Sequence, residues 1–185
     1  MATQTTSQPV TSTWNTDPVH SVAEFKVKHM MISNVKGRFT HVSGVLTLDE
    51  ADVARSTVEA TIDANSLTTG DAQRDGHIKS AEFLDVEKFP RLTFASTSIR
   101  HSAAGELELH GDLTIHGVTR NVVFAVEGPT PQVNDPWGNT RIGFSAHTKI
   151  NRKDFGLTWN TALEAGGILV GEEVTITLDV EAVKA

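Results

Sequence analysis

Cysteine is absent from this 185-residue chain, and long apolar runs are absent as well. Without cysteine there is no disulfide framework, no thiolate nucleophile and no cysteine metal site. No apolar stretch approaches the ~18 residues of a spanning helix, so we expect that the protein is not an integral membrane protein. The first residues, MATQTTSQPVTSTW, lack the basic start and apolar core of a secretory signal. We therefore expect a cytoplasmic protein, or a periplasmic one if a leader has been removed.

Clustered positive charge is also missing. The chain has 16 Lys and Arg residues against 23 Asp and Glu residues, a formal net charge of -7 at pH 7, and its basic residues are scattered. Binding a nucleic-acid backbone normally requires a clustered footprint of Lys and Arg side chains. We therefore expect no nucleic-acid partner, and the same argument disfavours an anionic membrane surface.

The sequence also lacks the common catalytic and metal-binding motifs. The sequence has no phosphate-binding loop, no GxGxxG and no HExxH. His110 and His116 share a predicted strand face but lie ~20 Å apart along it, too far to bind one ion. His29, His41 and His147 remain a set that the fold could bring together. We assign no catalytic residue, no metal and no cofactor, and expect a protein that is not an enzyme.

What the chain does contain is alternation of apolar and polar residues, which is the period of a half-buried β-strand. Residues 56–67, 106–116 and 174–181 alternate without error. About eight such segments are separated by turn signals, and eight antiparallel strands close into a barrel with room for one small ligand. We predict an all-β antiparallel barrel over residues 14–185, with a disordered polar arm at residues 1–13 and a β-bulge at Gly44.

Residues 67–94 break this alternation and predict one short helical insert. Ile78, Phe83, Leu84, Val86 and Phe89 form an apolar set at roughly helical spacing, and Pro90 prevents a helix from continuing, so at most one or two helical turns fit. Two interpretations stay open. The insert is either a lid over the mouth of the barrel, packed by Ile78, Phe83 and Phe89 and braced near Arg74 and Asp75, or an ordinary surface crossover between strands.

The predicted interior combines aromatic side chains with small residues. Alanines at positions 23, 60 and 64 leave gaps between large neighbours, so an apolar cavity and a filled core are equally consistent with the sequence. The aromatic side chains expected in the interior are Phe25, Phe39, Phe94, Phe124, Phe144, Phe155 and Trp159.

Six segments carry a resemblance to a known family. They are residues 17–21 (DPVHS), 37–39, 69–77 (TGDAQRDGH) with 83–90, 111–119 (GDLTIHGVT), 151–157 (NRKDFGL) and 171–182. In this order they resemble the YceI-like family of lipocalin-like proteins, often called polyisoprenoid-binding. The resemblance implies an extended antiparallel barrel whose apolar pore takes an isoprenoid or related chain, with no catalysis established. Many family members carry an export signal, and the start of this sequence shows none.

We therefore predict a protein that binds an isoprenoid or related amphiphilic lipid, such as an isoprenoid quinone, a polyprenyl phosphate or a fatty-acyl chain. Its role would be storage, transport or stress response. Arg74 or His77 is expected to meet the polar head of the lipid, or else Arg74 pairs with Asp75 or Glu82 and holds the insert. The predicted ligand-binding residues are Phe25, Val27, Phe39, Ile62, Arg74, His77, Phe94, Leu113, Phe124 and Phe144.

Two other readings are consistent with the sequence. One is an enzyme or stress factor acting on a small apolar substrate, with Arg152 among its candidate residues. The other is a structural or partner-binding barrel with a filled interior. The family resemblance also leads us to expect a homodimer, the commonest closed assembly.

Overall fold

The structure, a computed structural model, describes residues 10–185. Within this range it contains twelve strands, one α-helix and three short 3-10 helices (Val53–Arg55, Ala64–Ser66 and Arg152–Phe155). The α-helix α1 is Ala72–Lys79. The strands are β1 (Thr11–Thr16), β2 (Val22–His29), β3 (Ser33–Phe39), β4 (Val42–Asp49), β5 (Thr57–Asp63), β6 (Leu67–Thr68), β7 (Arg91–His101), β8 (Leu107–Ile115), β9 (Val118–Glu127), β10 (Val133–Asn134), β11 (Thr140–Asn151) and β12 (Val170–Lys184).

Eight of these strands close into an antiparallel barrel in the order β11-β9-β8-β7-β5-β4-β1-β12. The ring closes because β12 also pairs with β11, in an unbroken register from Arg141 opposite Val183 to Asn151 opposite Glu173. Full closure leaves no unpaired edge among the eight strands, and it separates alternate residues into an inner and an outer set. The predicted all-β barrel of about eight strands with one short helix is confirmed.

The barrel is extended at one end by β2, β3 and β6. Strand β12 has 15 residues, and it pairs with β1 near its end and with β2 from Val170 to Asp179. The β2–β3 hairpin then pairs through Phe39 with Leu67 of β6. At ~3.3 Å per residue, β12 spans roughly 45 Å and runs the whole length of the barrel.

Three sequence predictions need correction. The predicted arm at residues 1–13 overlaps β1, which begins at Thr11, while residues 1–9 lie outside the described part. The bounds predicted for the insert, residues 67–94, are too wide, because its two ends belong to β6 and β7, whereas its single short helix over Ala72–Lys79 is as predicted. The bulge predicted at Gly44 is wrong: β4 keeps a regular register there, and the register shifts lie in the β12–β2 and β7–β8 pairs.

Gly44 allows the neighbouring strands to approach the backbone of β4 closely. A Cβ atom at this position would lie 2.8 Å from the carbonyl oxygen of Glu59. The Thr16 hydroxyl also donates a hydrogen bond to the Gly44 carbonyl, at 3.2 Å. The glycine therefore allows β1 and β5 to sit close to β4 without bending the strand.

The α-helix and the three short 3-10 helices within residues 10–185 are all too short and too polar to cross a membrane.

One end of the barrel is sealed by Trp14 and by an arginine network. Trp14 is fully buried among Leu46, Leu48, Ile142 and Ala182. Just outside this cluster, the Arg141 guanidinium donates hydrogen bonds to three carboxylates, those of Asp17 (2.6 Å), Asp135 (2.7 Å) and Glu181 (2.6 Å).

The network lowers the pKa values of two of these carboxyls. The hydrogen bond from Arg141 holds the pKa of Asp17 well below its ordinary value. Burial acts to raise the pKa of Asp135, but the hydrogen bonds from Arg141 and Asn139 outweigh it, and the pKa falls. A carboxyl with a depressed folded-state pKa contributes stability above its unfolded pKa and loses it as pH falls through the folded value.

We therefore expect Arg141→Met to lower the melting temperature at pH 7, and the difference from wild type to shrink below about pH 4 as the carboxylates protonate. Thermal unfolding followed by circular dichroism from neutral to acidic pH measures this. Lys149→Met is the control, because the Lys149–Glu173 pair is exposed on both sides and such pairs contribute little. A difference that stays constant down to the lowest pH would contradict the network's electrostatic role.

Candidate ligand-binding site: an apolar cavity in the barrel

The barrel encloses an elongated cavity of about 600 Å³. This volume falls within the about 300–1,000 Å³ that small-molecule sites usually occupy. Its wall is formed almost entirely by inward-facing aliphatic and aromatic side chains of the barrel strands. On β12 alone the lining residues are Val170, Val174, Ile176, Leu178, Val180 and Ala182. An interior of this kind suits an apolar chain.

All ten residues predicted to bind the ligand lie on the wall of this cavity. Phe144 packs toward the sealed end beside the Trp14 cluster. Phe94 and Phe124 meet edge to face at 5.5 Å in the middle, and Phe25 lies 6.0 Å from Phe39 in the β2–β3 extension. The remaining predicted wall residues are Val27, Ile62 and Leu113, with Arg74 and His77 on the rim. Their contact with a ligand stays a prediction.

Glycine and alanine keep the lumen open. A Cβ atom at Gly111 would lie 2.2 Å from Cζ of Phe94, and one at Gly37 would lie 2.3 Å from Cζ of Phe25. Each ring therefore folds back against bare backbone instead of projecting into the cavity. Ala23 and Ala60 line the cavity as predicted. The gap predicted at Ala64 is not there, because Ala64 is fully buried in the core.

The insert covers one side of the cavity mouth. Arg74, His77, Ile78 and Phe83 all line the cavity, and the buried side chains of Leu84 and Val86 anchor the insert in the main core. Phe89 was predicted to pack there too, which is wrong. Its ring instead stacks edge-on against His116 at 4.8 Å, outside the cavity.

Arg74 stands exposed at the N-terminal turn of α1. Its Nε donates to the Thr69 hydroxyl (2.8 Å) and its Nη2 to the Thr69 carbonyl (3.1 Å). The same hydroxyl donates to Asp75 (2.5 Å), so Thr69 stands between the two charged groups. The predicted pairing of Arg74 with Asp75 or Glu82 is therefore wrong, whereas its hydrogen bonds to Thr69 do join α1 to the segment before it.

His77 belongs to an aromatic group above the mouth. Its Nε2 lies 2.6 Å from a Glu82 carboxylate oxygen, and its ring meets Phe83 at 5.0 Å and Trp159 at 4.6 Å, both edge-on. Glu82 thus holds His77 in place, which leaves Arg74 as the more available polar group on this side of the rim.

Arg152 is buried beside the cavity and organises the part of the rim formed by residues 157–171. Only 3% of the residue is exposed. Its guanidinium donates to the carbonyl oxygens of Gly171 (2.8 Å), Leu157 (2.6 Å), Trp159 (2.9 Å) and Val170 (3.3 Å). Burial lowers the pKa of Arg152, and the negative charge of Glu172 opposes this. Arg152 is therefore a clamp on the backbone that carries Leu157, Trp159 and Val170 to the cavity.

We expect both Arg152→Met and Arg152→Lys to destabilise the protein. An unpaired buried carbonyl costs about 1–3 kcal/mol, and a lysine ammonium cannot reproduce the planar fork that reaches four of them. Urea unfolding measures the free energy of each variant.

Lys153→Met is the matched control for this prediction. Lys153 is the next residue, but it is exposed and pairs only with Glu172, so we expect a change below about 1 kcal/mol. Equal effects of the Arg152 and Lys153 variants would show that Arg152 is not a clamp.

Among residues 10–185, one group of three side chains has the spacing of a metal site, namely Asp17, His20 and Glu181. Both carboxylates already accept hydrogen bonds from Arg141. His29, His41 and His147 do not come together as such a group within these residues. The clustered carboxylates are therefore part of the ion-pair network at the sealed end.

Several cavity residues went unrecognised in the sequence. Trp14 and Leu169 line the cavity, but each stands where no clear alternation surrounds it. The inward residues of β12 carried a readable signal, since Val174, Ile176, Leu178 and Val180 alternate in the sequence. The Arg152 clamp had no sequence signal, because its partners are backbone carbonyls.

Comparison with known proteins now identifies the family. The model of the YceI-like domain matches residues 14–182. The chain belongs to the YceI-like family. The resemblance of the six sequence segments is thereby confirmed.

Related proteins agree with this assignment. A UPF0312 protein of Vibrio cholerae is 41% identical over 143 residues, which are 77% of this chain and 75% of the relative. The crystal structure of BcnA from Burkholderia cenocepacia has a TM-score of 0.75 at 22% identity, over 90% of this chain and 98% of that one. A polyisoprenoid binding domain from Saccharophagus degradans, implicated in plant cell wall breakdown, has a TM-score of 0.65 at 16% identity, over 93% and 98%. At these identities the two structures share the fold of the YceI-like chain.

Proposed function

We propose that this YceI-like protein binds an isoprenoid or related amphiphilic lipid, with the tail in the barrel cavity and the polar head at the rim beside Arg74. The observation that carries the proposal is the cavity of about 600 Å³ with an almost wholly apolar wall. The structural likeness to a polyisoprenoid binding domain supports the same ligand class.

The tail is the source of affinity in this proposal. Burial of each CH₂ group contributes about 0.8 kcal/mol, so an isoprenoid or acyl chain needs no polar groups along its length. Most of the wall from Phe144 near the sealed end to Val27 is apolar, with Thr16, Glu59 and Thr93 among its polar exceptions. The rings on Gly37 and Gly111 already lie against the wall, so the chain displaces no side chain when it enters.

The head group stays at the mouth because a charged or polar group loses its hydration inside an apolar barrel. Arg74 is exposed, lines the cavity, and uses Nε and Nη2 for Thr69. Its Nη1 donates to no described residue and is available to a phosphate or quinone oxygen, which suits the fixed charge of arginine. Of the other polar rim residues, His77 lies beside Glu82 and Arg152 donates to backbone carbonyls, whereas Lys28 lines the cavity without an ion pair to a described residue.

Lipid binding is tested by native mass spectrometry of protein purified from its own host, followed by organic extraction. We expect one class of hydrophobic ligand. Ala60→Phe, which fills the lumen, should lower occupancy at least about tenfold, since it removes the space of several CH₂ groups. Ala95→Phe is the matched control on the exposed face of the neighbouring strand and should retain the ligand. Spectra that stay empty for wild type would overturn the proposal.

The role of Arg74 is tested by comparing a charged-head lipid with its headless hydrocarbon. We expect Arg74→Ala to weaken binding of the charged-head lipid by about 1.5–3 kcal/mol, the usual contribution of a hydrogen bond to a charged group, and to leave the hydrocarbon nearly unaffected. Calorimetric titration measures both affinities.

Arg120→Ala is the control for Arg74, because Arg120 is exposed and also donates to a threonine carbonyl, yet does not line the cavity. An equal loss for both ligands, together with a lower melting temperature, would show that Arg74 only holds the insert in place.

A further inference from the structure

The turn between β2 and β3 exposes three consecutive apolar side chains. Met30 is 39% exposed, Met31 58% and Ile32 79%; we call these three residues the hairpin tip. Single exposed apolar residues are normal on a protein surface, but contiguous ones at a projecting turn mark a contact surface.

The backbone conformation of the hairpin tip is unfavourable for the residues that occupy it. The amide of Ile32 donates to the carbonyl of His29 (3.1 Å), which closes a β-turn whose central residues Met30 and Met31 have φ values of 51° and 60°. Turns with positive φ at both central positions strongly prefer Asn and Gly. Methionine at both positions is locally unfavourable, and such a conflict between sequence and conformation is typical of functional sites.

The hairpin tip borders the mouth of the cavity. The Met30 amide donates to the carbonyl oxygen of Leu169 (2.7 Å). His29, Leu169 and Val170 all line the cavity. The tip therefore stands at the open end of the barrel, and the sealed end with Trp14 is at the far end of β12.

The hairpin behind the tip is locally cationic. Residues 25–39 contain four of the 16 Lys and Arg residues and none of the 23 Asp and Glu residues. Lys26 lies directly opposite Lys36, and both are exposed, as is Lys28. None of these lysines forms an ion pair with a described residue.

Glu24, opposite Arg38 at the base of the hairpin, is the one acidic residue of β2 and β3 and offsets one of the hairpin's four positive charges. On the adjoining strand β12, Glu172 pairs with Lys153 and Glu173 with Lys149. The expectation that basic residues are evenly scattered is therefore wrong for this part of the surface. A net cationic patch lies behind the tip, although the chain as a whole is acidic.

We propose that the hairpin tip docks the open end of the barrel on an anionic phospholipid surface. Met30, Met31 and Ile32 enter the interfacial region, and Lys26, Lys28 and Lys36 meet the head groups. Apolar residues flanked by lysines are the combination that binds peripheral proteins to anionic lipid. Docking in this orientation places the cavity mouth against the membrane, so that an amphiphile passes between bilayer and barrel without crossing water.

Charge argues against a second copy of the chain as the occupant of this surface. A symmetric pair joined through the hairpin tips would bring the same patch of each protomer together, lysines against lysines. The proposal also goes beyond lipid binding in the cavity, which native mass spectrometry tests separately.

The test is sedimentation of the protein with vesicles of phosphatidylcholine containing about 30% phosphatidylglycerol, compared with pure phosphatidylcholine. We expect wild type to sediment with the anionic vesicles and much less with the neutral ones. Lys26→Gln and Lys36→Gln should each weaken binding roughly fivefold. The paired change Met30→Asn with Met31→Gly should weaken it about tenfold or more while raising the melting temperature, because it removes the apolar contact and relieves the turn.

Weaker vesicle binding together with a higher melting temperature would show that the tip variant has lost docking and has not lost its fold. The control is Trp137→Ser, which removes a side chain that is 81% exposed in the loop before β11 at the sealed end. It should bind vesicles as wild type does. The proposal is overturned if wild type ignores anionic vesicles, or if the tip variant binds them equally well. It is also overturned if the tip variant changes only the mass seen by light scattering, toward the 20.0 kDa of one chain, because the tip would then join two copies.

Discussion

The pairing of β12 with β11 is the interaction on which the rest of this structure depends. It turns an open sheet into a ring, and it continues over eleven consecutive residue pairs. Once the ring is closed, every second side chain has to face inward, so the apolar residues of all eight strands line one enclosed space. The same long strand holds β1 at one end and β2 at the other, which sets the length of that space.

The two ends of the barrel differ in chemistry as a result. At the β1 end, Trp14 fills the lumen and Arg141 ties Asp17, Asp135 and Glu181 together. At the β2 end, the rim is built from α1, the backbone clamped by Arg152 and the hairpin tip. This difference between the two ends is the basis for proposing that a bound amphiphile would place its head toward Arg74.

The wall of the cavity was predictable, since period-two alternation directly reports which residues face inward. Phe94, Leu113 and Phe124 were placed correctly for that reason. The alternation does not report what the backbone does between strands. Gly44 looked like a bulge because the apolar phase slips nearby, but it serves close packing. Phe89 looked like a lid residue because of its spacing from Phe83, whereas its ring goes to His116. Contacts that join side chain to backbone, such as those of Arg152, leave no pattern in the sequence.

The two glycines beneath phenylalanine rings help to set the width of the cavity. Because Phe94 lies on Gly111 and Phe25 lies on Gly37, each ring touches main chain on one face, and a turn toward the lumen would strip it of that contact. The bore of the barrel is therefore fixed by the rigid hydrogen-bonded sheet and depends little on side-chain rotamers. A ligand then meets a space whose shape is set before it arrives, and association costs little conformational entropy in the wall. Because the bore also ends at Trp14, it limits both the thickness and the length of the apolar chain that it can enclose.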